Sequence, residues 1–410
     1  PIGDFLGVGI AQDGGGINMV GGTVHDGTWR YNNTWETVYW GDGGDSEVNW
    51  MDTDIYYFQA NENMKSSTQN YSDPGFYDHV YDWFIGMKYE MHPTDPYQVF
   101  FGRGRKEVVH GLDTFYYSHL MKYDETTKMV TEIEVSETLS QVGPIAIADD
   151  SVFFVADFYP RNGNTYHKIL KTSNGGGSWS DLSINAVYHY VGGNWTVYSD
   201  LSNLLHQKTI GDILLNPYDL DELWIGITGV WTDVYGEPED DKFRILHSND
   251  GGNSWYDYST GLPSIPVQAL EYQLGSNNRI FAGNEAGVFY RDNSMNQWEC
   301  FSNSLPPAVI TDLDYITCSG ELFASTYGRA IFKTDVPFQV DITTDTLAQQ
   351  ATLLWDHPKQ IHNNIFIPGG TTLTVTNNVY MDEGTCIIVD RGAHLIVENC
   401  VITNACDHLW

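Results

Sequence analysis

Basic side chains are scarce in this chain of 410 residues: 20 lysines and arginines face 54 aspartates and glutamates, a net charge of −34. A field of that sign repels phosphate backbones and anionic membranes, so no nucleic-acid partner is expected. No apolar run approaches membrane-spanning length, so no transmembrane segment is expected either. Heptads and long Ala/Glu/Lys/Leu windows are missing, which argues against helical bundles. The five cysteines, at 300, 318, 386, 400 and 406, form no Cys-x-x-Cys pair and no zinc pattern. In an oxidising compartment a Cys400–Cys406 or a Cys300–Cys318 bridge is open to them; free thiols are the alternative. The histidines show no His-Glu-x-x-His spacing, and the glycine runs precede strands and not helices, so neither a catalytic zinc nor a phosphate cradle is indicated. The chain opens on Pro1 without a signal-like apolar segment, as expected of a processed protein or a piece of a longer one.

What is abundant is aromatic and glycine: 26 Tyr, 18 Phe, 13 Trp and 40 Gly. That mix suits many short strands joined by tight turns. A turn followed by an apolar, aromatic-rich run recurs seven times, at Ile17–Gly22, Asp54–Phe58, Gln98–Gly102, Ser151–Ala156, Glu222–Gly226, Arg279–Gly283 and Glu321–Ser325. The steps between copies run from 36 to 71 residues. A four-stranded propeller blade takes about 40 to 50 residues, so the longer steps mark insertions. Turn residues precede several copies, as in His92-Pro-Thr-Asp-Pro96, Asn216-Pro-Tyr-Asp219 and Gly275-Ser-Asn-Asn278. They place a hairpin between the first and second strands of each blade. The expected fold is therefore all-β: a seven-bladed propeller of four-stranded antiparallel blades over residues 1–336.

Two eight-residue segments reinforce this reading. Ser248-Asn-Asp-Gly-Gly-Asn-Ser-Trp255 and Thr172-Ser-Asn-Gly-Gly-Gly-Ser-Trp179 each follow a β-rich run. Ser248 and Asp250, like Thr172 and Asn174, can bond backbone inside a turn; Gly252 and Gly176 supply positive φ; Trp255 and Trp179 anchor the returning strand. The pattern resembles the Asp-box, the bacterial neuraminidase repeat, which in its family sits between the third and fourth strands of propeller blades and is structural. Tyr290–Ser294 with Trp298 is a degenerate third copy. The segments Gly21-Gly22-Thr23 to Trp29 and Trp40-Gly41-Asp42-Gly43-Gly44 resemble secreted Asp-box propellers of the sortilin and xyloglucanase type, and Thr326-Tyr-Gly-Arg-Ala330 resembles their last blade. Relative to that pattern, Val24-His25 and Asp26-Gly27 are departures.

Beyond Val336 the composition changes. Residues 337–363 read as a linker, and from 364 to 410 strict alternation with a glycine turn every several residues reads as the start of a β-helix-like module. It resembles coils of large Bacteroidetes surface proteins, many of them exported by type IX secretion.

The resemblance implies an extracellular or bacterial cell-surface location. The leading expectation is a non-catalytic binding or scaffolding propeller whose partner is a glycan or another surface protein. A secreted glycoside hydrolase of xyloglucanase or sialidase-like type is the alternative, and a structural, self-assembling segment of a giant adhesin is another. Sialidase chemistry implies an arginine triad, for which this chain has only nine Arg to draw on. A xyloglucanase-like reaction needs two carboxylates across a cleft, for which Asp26, Asp42 and Asp45 are the candidates. Exposed aromatics for sugar stacking are sought in the insertions, at Trp83, Trp195, Trp231 and Tyr235. No cofactor is called for, although part of the acidic excess, at Asp52-Thr-Asp54 or Glu237–Asp241, could bind Ca²⁺.

Overall fold

The computed structural model describes residues 4–410 except 14–15, 61–62, 69–87, 111–112, 137–140, 162–163, 183, 185–186, 192–193, 199–207, 230–242, 303–304, 318, 337–343, 383–384 and 405–410. The protein is all-β, and its first 336 residues form a seven-bladed propeller. Blade 1 is built from Phe5–Asp13, Gly16–Thr23, Gly27–Asn32 and Thr34–Tyr39, paired in sequence order. Blade 2 comprises Gly43–Val48, Tyr56–Ala60 and Asn63–Ser66, and blade 3 Tyr89–Met91, Gln98–His110, Asp113–Asp124 and Met129–Ser136. Blade 4 takes Gln141–Ile147, Val152–Arg161, Asn164–Ser173 and Ser180–Asp181; blade 5 takes Lys208–Asn216, Asp219–Gly229, Ile245–Ser248 and Trp255–Asp257. Blade 6 runs Val267–Tyr272, Ile280–Asn284, Gly287–Arg291 and Glu299–Cys300, and blade 7 Ile310–Ile316, Glu321–Thr326 and Ala330–Asp335. The seven recurring runs are the second strands of the seven blades, and their unbroken apolar character is explained by burial on both sides between neighbouring blades. The first strand of each blade touches that of the next, and the ring closes where the first strand of blade 7 meets that of blade 1.

Two assignments made from sequence change. The insertion that carries Trp195 is strand and not loop: Val187–Val191 and Asn194–Tyr198 form a hairpin that joins the outer edge of blade 5, Val187 pairing in parallel with Trp255. The second concerns the linker. Its residues 344–346, 352–355 and 359–361 are the first coil of the C-terminal module, each pairing in parallel with a strand about one coil later, as in Thr344↔Asn364 and Thr352↔Thr372. Asp345, Trp355 and the polar residues between them lack the strict alternation of later coils, which is why the coil was illegible. Three parallel three-stranded sheets enclose a core of Ile361, Ile365, Ile367, Leu373, Val375 and Val379. Blade 7 has three strands among the described residues, and Phe5 opens the first strand of blade 1.

The 248–255 turn sits between the third and fourth strands of blade 5. Asp250 Oδ1 accepts from Ser248 Oγ at 2.9 Å and from Ser254 N at 2.8 Å, and Ser248 Oγ accepts from Gly252 N at 2.9 Å. The 172–179 turn occupies the same place in blade 4 with the same bonds, Asn174 Oδ1 accepting from Thr172 Oγ1 and Ser178 N and Thr172 Oγ1 from Gly176 N. An amide oxygen thus replaces one carboxylate oxygen, and only the bond to the last serine reverses: Ser254 Oγ donates to Asp250 Oδ2, whereas Asn174 Nδ2 donates to Ser178 Oγ. Trp255 is 1% exposed, whereas Trp179 is half-buried and donates to Glu134 O. Asp292 and Ser294 form a reduced version, with Trp298 buried behind them. Cys300, Cys386 and Cys400 are free thiols, and Cys318 and Cys406 lie outside the described residues.

Candidate functional site

Antiparallel order within each blade sends the turns between strands one and two, and three and four, to one face of the propeller. The turns between strands two and three, and the links to the next blade, lie on the other. The C-terminal module packs on the first face: Tyr380 meets Trp50, and residues 345 and 360–365 lie against Pro93, Pro217 and Tyr218. On the opposite face the link after blade 1 and the turn at 24–26 come together and carry the most exposed large apolar side chain of the described residues, Trp40, at 74%.

Four further side chains belong to the same region. Trp29, half-buried, stands edge-on to it with ring centroids 6.3 Å apart, and its indole N–H donates to Asp26 O at 3.0 Å. His25 Nδ1 lies 2.9 Å from Asp42 Oδ1, which ties the two segments across the gap. His25 has φ 70, an unusual backbone state for a residue with a Cβ. Asp26 is exposed beside it. The arrangement offers one aromatic face, two carboxylates and an imidazole to solvent, the set of groups that binds sugar rings by stacking and by hydrogen bonds to hydroxyls.

Asp42 thus meets the imidazole next to Asp26 in the chain, but Asp45 does not join them. Its carboxylate turns inward and accepts from Tyr89 N at 2.9 Å on the neighbouring blade. The reason is register: a bulge in the first strand of blade 2 between Gly43 and Ser46 aims Asp45 at the axis. Trp83, Trp231 and Tyr235 lie outside the described residues, as does the side chain of Trp195, whose strand runs in the added hairpin. Tyr190 on that hairpin is exposed. Among the described residues no group of three or more His, Cys, Asp or Glu comes close enough to hold a metal; Glu237–Asp241 lie outside them.

The axis of the propeller holds what the sequence reading missed. A cavity of about 600 Å³ is lined by the first strands and, at one end, by the module. Two tiers of ionisable side chains project into it. In the first, Asp45, Asp212 and Asp312 surround Lys88. Asp212 Oδ2 accepts from Leu270 N at 2.7 Å and Asp312 Oδ2 from Val8 N at 3.0 Å, so each aspartate stitches its blade to the next as Asp45 does. Gly7 takes the equivalent place in blade 1, where a Cβ would run into Asp45. Burial raises all three aspartates against the pull of Lys88, Asp312 to about 7. Burial alone would lower Lys88, but Asp45, Asp312 and Asp212 outweigh it and hold the ammonium above its ordinary value.

The second tier, two residues further along each strand, is Glu47, Glu90, Glu271 and Asp314. Burial and mutual repulsion raise all four, the first three well above the ordinary range and Asp314 to about 8. A repeated signal was present in the sequence: Ile210-Gly-Asp212-Ile and Ile310-Thr-Asp312-Leu place an acid at the same step before the turn of blades 5 and 7.

No protein-family model matches the sequence, and no curated protein matches it. Solved structures with a similar course of chain include the extracellular domain of BT4673 from B. thetaiotaomicron, at 11% identity and TM-score 0.47, covering 81% of this chain and 38% of that one. The GH74 xyloglucanase from Xanthomonas campestris is 13% identical with TM-score 0.34, over 81% of this chain and 64% of the other. The Dos1 propeller is 13% identical with TM-score 0.46, over 83% and 95%. This chain therefore spans about two fifths of the BT4673 domain and just under two thirds of the xyloglucanase.

Proposed function

We propose that this chain is a non-catalytic, glycan-binding propeller that works outside a bacterial cell, and that Trp40 with Trp29, His25, Asp26 and Asp42 forms its binding face. The observation that carries the reading is Trp40. Leaving an indole 74% exposed forgoes burial that a side chain of its size would otherwise gain, and the two segments that meet here also carry His25, Asp26 and Asp42, groups able to bond hydroxyls. The net charge of −34 and the glycine-rich turns of secreted propellers support the location. The hydrolase alternative fares worse on chemistry. A glycosidase's general acid is held protonated by apolar surroundings, whereas Asp42 is 56% exposed and hydrogen-bonded to His25. A second reading, a structural role in a larger surface assembly, rests on Ile388, Val389, Ile396, Val397 and Val401, all exposed on the last coil of the module. Titration of the full chain against a panel of soluble plant and microbial polysaccharides tests the first reading: it expects saturable binding to at least one, lost in Trp40→Ala, with no release of reducing ends. Release of reducing ends by the wild type, abolished in Asp42→Asn, would establish the hydrolase instead.

A further inference from the structure

The axial cavity lies on the far side of the chemistry proposed above and does not depend on it. Three features define what could enter. First, the inner tier of Glu47, Glu90, Glu271 and Asp314 holds no base, in contrast to the outer tier with Lys88. Glu271 accepts from Tyr315 N and Asp314 from Ile10 N, but Glu47 and Glu90 accept no hydrogen bond from the described residues. Second, Asn363 of the module closes the cavity beyond this tier. It is 2% exposed, donates through Nδ2 to Asp345 Oδ2 at 3.3 Å, and has a buried Oδ1 without a hydrogen-bond partner. A buried unpaired acceptor costs about 1 to 3 kcal/mol unless something donates to it. Third, Ile10, Ile147, Leu214 and Ile365 supply apolar wall between the two ends.

Acceptors at two ends and hydrocarbon between them fit a chain with a donor cation at each end. Among the described residues no three of these carboxylates form a group that could hold a metal ion. An ammonium on an alkyl chain already sits among three aspartates here, as Lys88. We propose that the cavity binds an alkyl diamine or polyamine, one ammonium on the inner acidic tier and the other donating to Asn363 Oδ1 and Asp345.

Calorimetric titration of the full chain with cadaverine and with spermidine in about 150 mM salt tests this, because surface charges are largely screened at that ionic strength. The expected result is one saturable site per chain. Glu47→Gln with Glu90→Gln should weaken it about tenfold or more, since a charge-assisted bond is lost at each position. These two glutamates anchor no backbone N–H, and neutralising them relieves repulsion within the tier, so the variant should fold and melt no lower than the wild type. Asn363→Leu should weaken cadaverine as well, with the hairpin and blade contacts untouched. Many weak sites that vanish with salt would overturn the proposal, as they report attraction to the net negative surface alone. So would unchanged affinity in both variants, or a single Ca²⁺ site that excludes cadaverine and survives the glutamine substitutions.

Discussion

The same two residue types, tryptophan and aspartate, do opposite work on the rim of the propeller and in its interior. On the rim, Trp40 and Asp42 are exposed, beside Trp29 and a His25 at positive φ whose imidazole meets the Asp42 carboxylate. In the interior, Trp255 is sealed between blades, and Asp45, Asp212 and Asp312 each receive a backbone N–H from the next blade. The difference teaches that identity and even local glycine context do not decide the role; the bulge that turns Asp45 to the axis does. Asp42 and Asp45, three positions apart, end on different surfaces of the molecule.

The comparison can be broken most forcefully at Trp255. Trp255→Ala empties a fully buried site and should cost about 3 to 5 kcal/mol, seen as a fall in denaturation midpoint. A loss under about 0.5 kcal/mol would show that the indole is not the anchor of that hairpin.

Next comes the stitching by aspartate. Asp212→Ala leaves the amides of Leu270 and Ile213 without their acceptor and should cost about 1 to 3 kcal/mol. Asp42→Ala, on the rim, should cost within about 0.5 kcal/mol.

The pH dependence of stability sharpens the contrast further. Asp312 and Asp314 are raised by burial to about 7 and about 8, above the value of an unfolded aspartate. Protonated carboxyls are therefore favoured in the folded state, and their contribution is full below about pH 4, declining as pH rises toward about 8. Asp250 and Glu222 move the other way, lowered by hydrogen bonds from Ser254 and His247 against the effect of burial, so theirs is lost only in acid. Asp314→Asn should accordingly lose less stability than the wild type between about pH 6 and pH 9, by melting at several pH values. Parallel curves for the two would refute an interior acidic tier that strains the fold when ionised.

A smaller effect is expected at the repeated turn. Ser248→Ala removes the acceptor of Gly252 N and should cost about 1 kcal/mol, and Thr172→Ala about the same, since Thr172 Oγ1 accepts from Gly176 N in the same way. Unequal costs would mean that Asn174 is not equivalent to Asp250.

Much of the fold was legible because second strands are buried on both sides and so repeat as unbroken apolar runs. The Gly-Gly-x-Ser-Trp turns were legible because positive φ and a large anchor leave a strong residue signature. The axial site was not, because its residues come one or two at a time from first strands far apart in sequence: Asp45, Lys88, Asp212 and Asp312 meet only when the ring closes. The rim site was half legible. Asp26 and Asp42 were singled out, but Trp40 was read as part of a glycine-rich turn, and only its exposure separates a stacking face from a core aromatic.

The central claim is that Trp40 heads a glycan-binding face, and affinity measurement with a polysaccharide that binds the wild type tests it most directly. Trp40→Ala should lower affinity at least about tenfold, the stacking of an aromatic ring being worth about 1.4 kcal/mol or more, while its melting temperature stays unchanged. Wild-type affinity in Trp40→Ala would contradict the account and move the search to the added hairpin of blade 5, where Tyr190 is exposed.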